Sequence, residues 1–193
     1  RLRKPLDFLV IADHAEAMGA MYALATKDTR FLNPEDKKYW YEKFRNINEN
    51  NTPEKAFDLT WKNLIEFAKD KEGNWNYDSQ HKVFRESIWE EVIGNAERNN
   101  APHKFTAFIG YEWTGNQYEK PGGGWWHRVV IFKDGPEKVS QVLPFSLFDS
   151  ANPEDLWSYL ADYQSTTGGD ALAIPHNPNL SGGSTFMLND SQG

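Results

Sequence analysis

Apolar residues fall into short blocks separated by polar, proline- and glycine-rich joints, and their spacing changes from block to block. Residues 7–12 (DFLVIA) read as a short apolar strand, closed by Asp13 and His14. From 15 to about 25, Ala, Met and Leu dominate and favour a helix. A polar, aromatic-studded insert follows over about 26–51, with a short helix expected over 34–44. Thr52-Pro53-Glu54 supplies an N-cap, a proline at the first helical position and an early acid. Phe57, Trp61, Leu64 and Ala68 then recur at helical spacing and define one buried face. Past Gly73 and a linker over 74–78, a second long helix is expected over 79–98. Phe84, Ile88, Val92 and Ala96 form its stripe, and Asn99 to Pro102 end it, so the helical insert covers about 26–100.

The second half is richer in strands. Residues 105–109 are a short apolar run of β-formers, and the strand they predict ends on Glu112. A loop containing Pro121 and Gly122 to Gly124 leads to a second strand over 128–132. If the two pair antiparallel, the start of the second lies beside the end of the first, bringing His127 next to Glu112. After the turn at 134–136, residues 139–145 read as a third extended piece. Asn152-Pro153-Glu154-Asp155 starts a capped helix with Leu156, Trp157, Leu160 and Tyr163 facing inward. Gly168-Gly169 breaks the chain, and a last strand over 171–175 ends on His176. The Gly-, Ser- and Asn-rich tail over 177–193 predicts no element. Strands alternating with helices indicate an α/β domain with a largely parallel sheet or barrel. Such folds place their chemistry at the carboxyl ends of strands.

Composition narrows the chemistry. The 193 residues suffice for one domain or a large part of a bigger one, and no apolar run is long enough to span a bilayer, so no membrane partner is expected. A net charge of −7 argues against a nucleic-acid partner bound by phosphate neutralisation. Without cysteine, any metal must be held by His and carboxylate. The chain opens in Arg1-Leu-Arg-Lys-Pro5 without an initiator Met and runs straight into a strand, so it reads as a fragment of a longer protein.

The strand-end rule sorts the five histidines. His14 directly follows a strand, with Asp13 before it and Glu16 two residues on; packing explains three ionisable groups in four residues poorly. The bland alternative is an Asp capping the next helix beside an incidental His. His176 also directly follows a strand, against the alternative of a loop histidine. His127 has the hairpin argument, against a cross-strand packing role beside Trp126. His81, between Gln80 and Lys82 in the first turn of a helix, reads as a solvated surface residue, and His103 lies at the wrong end of its strand. The remaining set is His14, Glu112, His127 and His176. Imidazoles with a carboxylate suit Zn²⁺, Mn²⁺ or Fe²⁺ better than Ca²⁺ or Mg²⁺. Ligands drawn from separate strands are typical of catalytic sites. Glu112, with two oxygens, is the candidate bridge between ions, and Asp13 the candidate partner that orients an imidazole.

Four strings carry a resemblance: Val10-Ile-Ala-Asp-His14, Ile109-Gly-Tyr-Glu112, His127-Arg-Val-Val-Ile131 and Ala173-Ile-Pro-His176. Their order is similar to that of the PHP (polymerase and histidinol phosphatase) superfamily. The longer strings PLDFLVIADHAE, KFTAFIGYEWT, HRVVIFKD, QVLPFSLFDS, PEDLWSYL and ALAIPHNPNLS more closely resemble a bacterial relative within it, domain of unknown function 3604. The resemblance implies a distorted (β/α)₇ barrel, here incomplete, with a two- or three-metal centre and hydrolytic chemistry, most often on phosphate esters. It makes His14, Glu112, His127 and His176 metal ligands with Asp13 in support. The superfamily's opening His-x-His and closing Asp-x-His are not in this sequence, and Ala12 stands where Thr is usual. The metal shell is therefore expected to be partial, and the fragment alone inactive. Relatives often look exported.

The function expected is metal-assisted hydrolysis of a small ester, with a bound water whose pKa falls toward about 7 and Glu112 bridging the ions. Arg128 would add positive charge, but strand alternation turns it away from the metals, and a surface arginine is the simpler reading. The alternative function is a non-catalytic carbohydrate- or ligand-binding module, in which Trp113, Tyr118, Trp125 and Trp126 stack on sugars or other rings. At 15% aromatic residues, however, a ring-packed core is the ordinary explanation.

Overall fold

The computed structural model describes residues 4–26, 28, 30–32, 34–69, 72–73, 77–116, 124–183 and 185. Tyr118, the first part of the Gly-rich loop, residues 74–76 of the linker and most of the tail lie outside them, as does the side chain of Phe57. The chain divides into two compact units, one formed by Arg1–Glu16 with Trp89–Gly193 and the other by Ala17–Ile88.

The first unit is a four-stranded sheet with helices. Its strands are β1 (Phe8–Val10), β2 (Thr106–Asn116), β3 (Trp125–Phe132) and β4 (Ala171–His176), paired in that order. β1 and β2 run parallel, whereas β2–β3 and β3–β4 are antiparallel. The sheet is therefore mixed, not largely parallel, and among the described residues it is open. The expected third extended piece over 139–145 is instead the end of a short helix, α5 (Pro136–Val139), followed by turns and coil. With no strand there, β3 is joined to β4 through α6 (Pro153–Thr167), and β4 lies antiparallel against it.

Alternation gives each face of the sheet its character. Ile109, Tyr111, Trp113, Val130 and Phe132 share one face and are buried. The second half of α4 (Tyr77–Asn99) and α6 supply partners: Trp89 meets Tyr111 edge-on with ring centroids 6.1 Å apart, and Phe132 meets Tyr163 at 4.9 Å. Leu156 and Leu160 are buried as their spacing predicts, but Trp157 is 43% exposed. Asn152 occupies the N-cap of α6 without a side-chain bond to it; Ser150 instead donates to Asp155 and accepts from the Asn152 N–H. The opposite face carries Phe8, Val10, Gly110, Glu112, Thr114, His127, Val129, Leu172, Ile174 and His176, by register. Several of its apolar residues are open to solvent, Phe8 at 65% and Leu172 at 53%. Gly110 is required there, because a Cβ would lie 2.5 Å from the Val130 carbonyl oxygen and 2.6 Å from Val10 Cγ2.

The second unit contains α1 (Ala20–Ala25), α2 (Pro34–Asn50), α3 (Pro53–Phe67) and the start of α4. The Thr52 hydroxyl accepts from the Lys55 N–H and caps α3 as its sequence predicts. Phe31, Phe67 and Phe84 form a ring cluster that also takes in His81, stacked on Phe67 at 5.1 Å. His81 is thus buried, not a solvated surface residue, and burial pulls its pKa down to about 4. It sits at a kink in α4, where its backbone leaves helical geometry. The kink and the burial fall on the same residue.

Candidate metal centre

Three stretches of backbone bring the site together. Past β1 the chain stays beside β2: the Glu112 N–H donates to the Asp13 carbonyl and the Ala15 N–H to the Glu112 carbonyl, each at 2.8 Å. This bridge sets His14 against Glu112. β2 runs four residues past Glu112, to Asn116, so the acid lies within the strand and not at its end. In the β2–β3 ladder Glu112 is opposite Val129 and Thr114 is opposite His127, which makes Glu112 and His127 diagonal neighbours on one face. His176 is directly opposite His127 in the β3–β4 ladder. The site therefore gathers at the amino end of β3 and the carboxyl ends of β1 and β4.

Three imidazoles converge on one oxygen. His127 Nδ1 lies 2.9 Å, His176 Nδ1 3.0 Å and His14 Nε2 3.8 Å from Glu112 Oε1. The donors of His14, Glu112 and His127 all lie within 4.8 Å of one another. His176 joins through Glu112. Glu112 and His127 are buried, whereas the side chains of His14 and His176 are each 45% exposed, leaving one side of the cluster open to solvent. The contacts are short but poorly angled. Neither Glu112 Oε1 nor His127 Nδ1 makes an aligned hydrogen bond, although both are buried. Buried polar atoms without such partners need an explanation. Two donors about 2.0–2.2 Å from one Zn²⁺ lie roughly 3–4 Å apart, close to the separations here. The residues present thus fit a divalent ion. Burial pushes the Glu112 carboxyl up, but His127 and His176 against it and the charge of His14 bring it down to about 2. The His14 imidazole is raised, chiefly by its bond to Glu16, against the opposing effect of burial.

Asp13 does not orient an imidazole. It is exposed, its carboxylate makes no hydrogen bond or ion pair among the described residues, and it acts on His14 only through its charge. The orienting bonds come from residues not given that role in the sequence reading. His14 Nδ1 lies 3.0 Å from Thr114 Oγ1 and 3.3 Å from Glu16 Oε2. The signals were present: Glu16 is two residues from His14, and Thr114 is on the Glu112 face of β2 by alternation.

Arg128 is buried, not a surface residue. It shares the helix-covered face with Trp113 and donates to the His127 and Thr185 carbonyls, on the other side of the sheet from the cluster. Trp113 and Trp126 are also buried, so two of the four rings proposed for sugar stacking belong to the core. His103 is exposed in the turn before β2.

Fold and site together define a mixed α/β protein carrying a His/Glu group suited to a metal ion. The chain matches, over residues 1–193, the model of the family described as Protein of unknown function (DUF3604), and it belongs to that family. No curated protein and no solved structure matches it. No helix among the described residues is long and apolar enough to cross a membrane.

Proposed function

We propose that the chain carries the metal-binding residues of a divalent-metal-dependent hydrolase acting on a small ester, foremost a phosphate ester. His14, Glu112, His127 and His176 would hold the ions of a two- or three-metal centre, with Glu112 offering both its carboxylate oxygens. One observation carries the reading: three imidazole nitrogens surround a single carboxylate oxygen that has no aligned hydrogen bond of its own. Imidazole and carboxylate donors favour Zn²⁺, Mn²⁺ or Fe²⁺. Such ions supply Lewis acidity toward water and toward an ester oxygen. The chain contributes the rest: a buried carboxylate held ionised, imidazoles whose orientation is set by the sheet, and an exposed flank at His14 and His176 through which substrate enters.

The order His14, Glu112, His127, His176 supports kinship with the PHP superfamily. The open apolar face next to the cluster supports a larger, barrel-like sheet. Phe8, Leu172 and Ile174 are exposed on the same face as the ligands, the character of a barrel interior. The test is hydrolysis of generic phosphomonoesters and phosphodiesters by the protein, with and without added Mn²⁺ or Zn²⁺, beside His14→Ala. Metal-dependent turnover that falls at least about 100-fold in the variant is expected. Undiminished turnover in His14→Ala would end the proposal.

A further inference from the structure

Glu16 is the most fully engaged carboxylate near the cluster. Its side chain is 1% exposed. Oε1 accepts from the Thr114 N–H at 3.2 Å and the Leu147 N–H at 2.9 Å, while Oε2 accepts from the Thr114 hydroxyl at 3.0 Å. The remaining neighbour of Oε2 is His14 Nδ1. Both oxygens therefore act as acceptors, and the carboxylate ties together β2, the coil after α5 and the turn that carries His14.

This arrangement determines where the His14 proton sits. The Thr114 hydroxyl has one hydrogen, and it is donated to Glu16. Toward His14 Nδ1, 3.0 Å away, the hydroxyl can only accept. Glu16 Oε2 likewise can only accept. Nδ1 must then carry the hydrogen, and a neutral ring presents an unprotonated Nε2. That lone pair faces Glu112 Oε1 across 3.8 Å. Two electron-rich atoms at that distance repel unless a proton or a metal ion lies between them.

We propose that Glu16, acting through Thr114 as well as directly, is the positioning residue that holds His14 in its Nδ1–H tautomer so that Nε2 is free to bind a metal ion. The inference rests on the metal-centre reading for its purpose, but not for its geometry, which the hydrogen bonds of Glu16 and Thr114 define. Glu16→Gln separates the two contributions of the carboxylate. With its amide oxygen in the Oε1 position it still accepts from both backbone N–H groups, while the NH₂ in the Oε2 position donates toward Nδ1. The favoured tautomer then reverses, and Nε2 is protonated.

The experiment is long-range ¹H–¹⁵N correlation on metal-free, histidine-labelled protein, at a pH where the His14 ring is neutral, followed by Zn²⁺ titration. The wild type is expected to show His14 protonated at Nδ1. Glu16→Gln is expected to shift it toward Nε2–H and weaken Zn²⁺ binding about 10–100-fold. Thr114→Val removes the hydroxyl that accepts from His14 Nδ1 and donates to Glu16 Oε2 while leaving the carboxylate in place, and is expected to act in the same direction, with Thr114→Ser restoring the wild-type signal. An Nε2–H signal in the wild type overturns the proposal even if no variant folds. So does unchanged tautomer and affinity in a folded Glu16→Gln. If the tautomer behaves as expected but the wild type binds no Zn²⁺, the positioning stands and the metal centre fails.

Discussion

Burial alone would raise the Glu112 carboxyl, yet the imidazoles around it hold it down to about 2. Because this lies below the ordinary 4.5, the carboxylate contributes stability that is complete above that value and is lost as the pH falls through about 2. Urea midpoints of the metal-free protein should therefore drop between about pH 5 and pH 2.5, and Glu112→Gln should flatten that drop. An equally steep profile in the variant would show that the acid is not held by its neighbours. Single residues were legible where strand alternation governs them: His14, Glu112, His127 and His176 do meet. They were illegible where a charge is buried. Arg128 reads as surface by type, yet two backbone carbonyls satisfy it inside the sheet's packed face. Asp13 and Glu16 are both near His14 in sequence, and only their positions in space show that Glu16 has the orienting bonds.

Among the elements, Gly110 of β2 is closely flanked by Val10 of β1 and the Val130 carbonyl of β3. Gly110→Ala should cost about 1–3 kcal/mol in urea unfolding, because backbone and Val10 must move to admit the methyl group. Wild-type stability in that variant would show that the strands have slack. In the helical unit, His81 is buried and lowered from 6.5 to about 4. The unfolded chain therefore binds more protons between those values, and stability rises with pH across that window and is lost below it. The effect is at most about 3 kcal/mol, and circular-dichroism melts at about pH 7 and pH 5 should differ less in His81→Phe. The starts of α3 and α6 were easily read, since Thr52-Pro53 and Asn152-Pro153 fix them locally, whereas α1 begins at Ala20 and not at residue 15 as expected. The length of β2 and the helical turn of α5 were not, because short apolar runs suit either state. The kink at His81 leaves no periodic signal, which is why its burial escaped notice.

For the whole molecule, alternating strands and helices pointed to an α/β class with a largely parallel sheet, and the structure agrees with the class but not with the strand direction. Two of the three strand pairs are antiparallel, since only pairing, not local pattern, decides how β4 lies against β3. The cluster survives that change because β4 reaches it with its carboxyl end and β3 with its amino end. A ligand bound only by the folded state raises stability by mass action, about 2.7 kcal/mol at 100 times Kd. Saturating Zn²⁺ or Mn²⁺ should therefore raise Tm by roughly 5–10 °C, and chelator should reverse it. No change in the melt on adding either ion would mean that the convergence of side chains has no affinity for metal.

Anomalous scattering from crystals grown with Zn²⁺ reaches the central claim most directly. The account predicts a peak about 2.0–2.2 Å from Glu112 Oε1 and from at least one of the His14, His127 and His176 ring nitrogens. A well-ordered site with all four side chains in place and no anomalous density among them would contradict it.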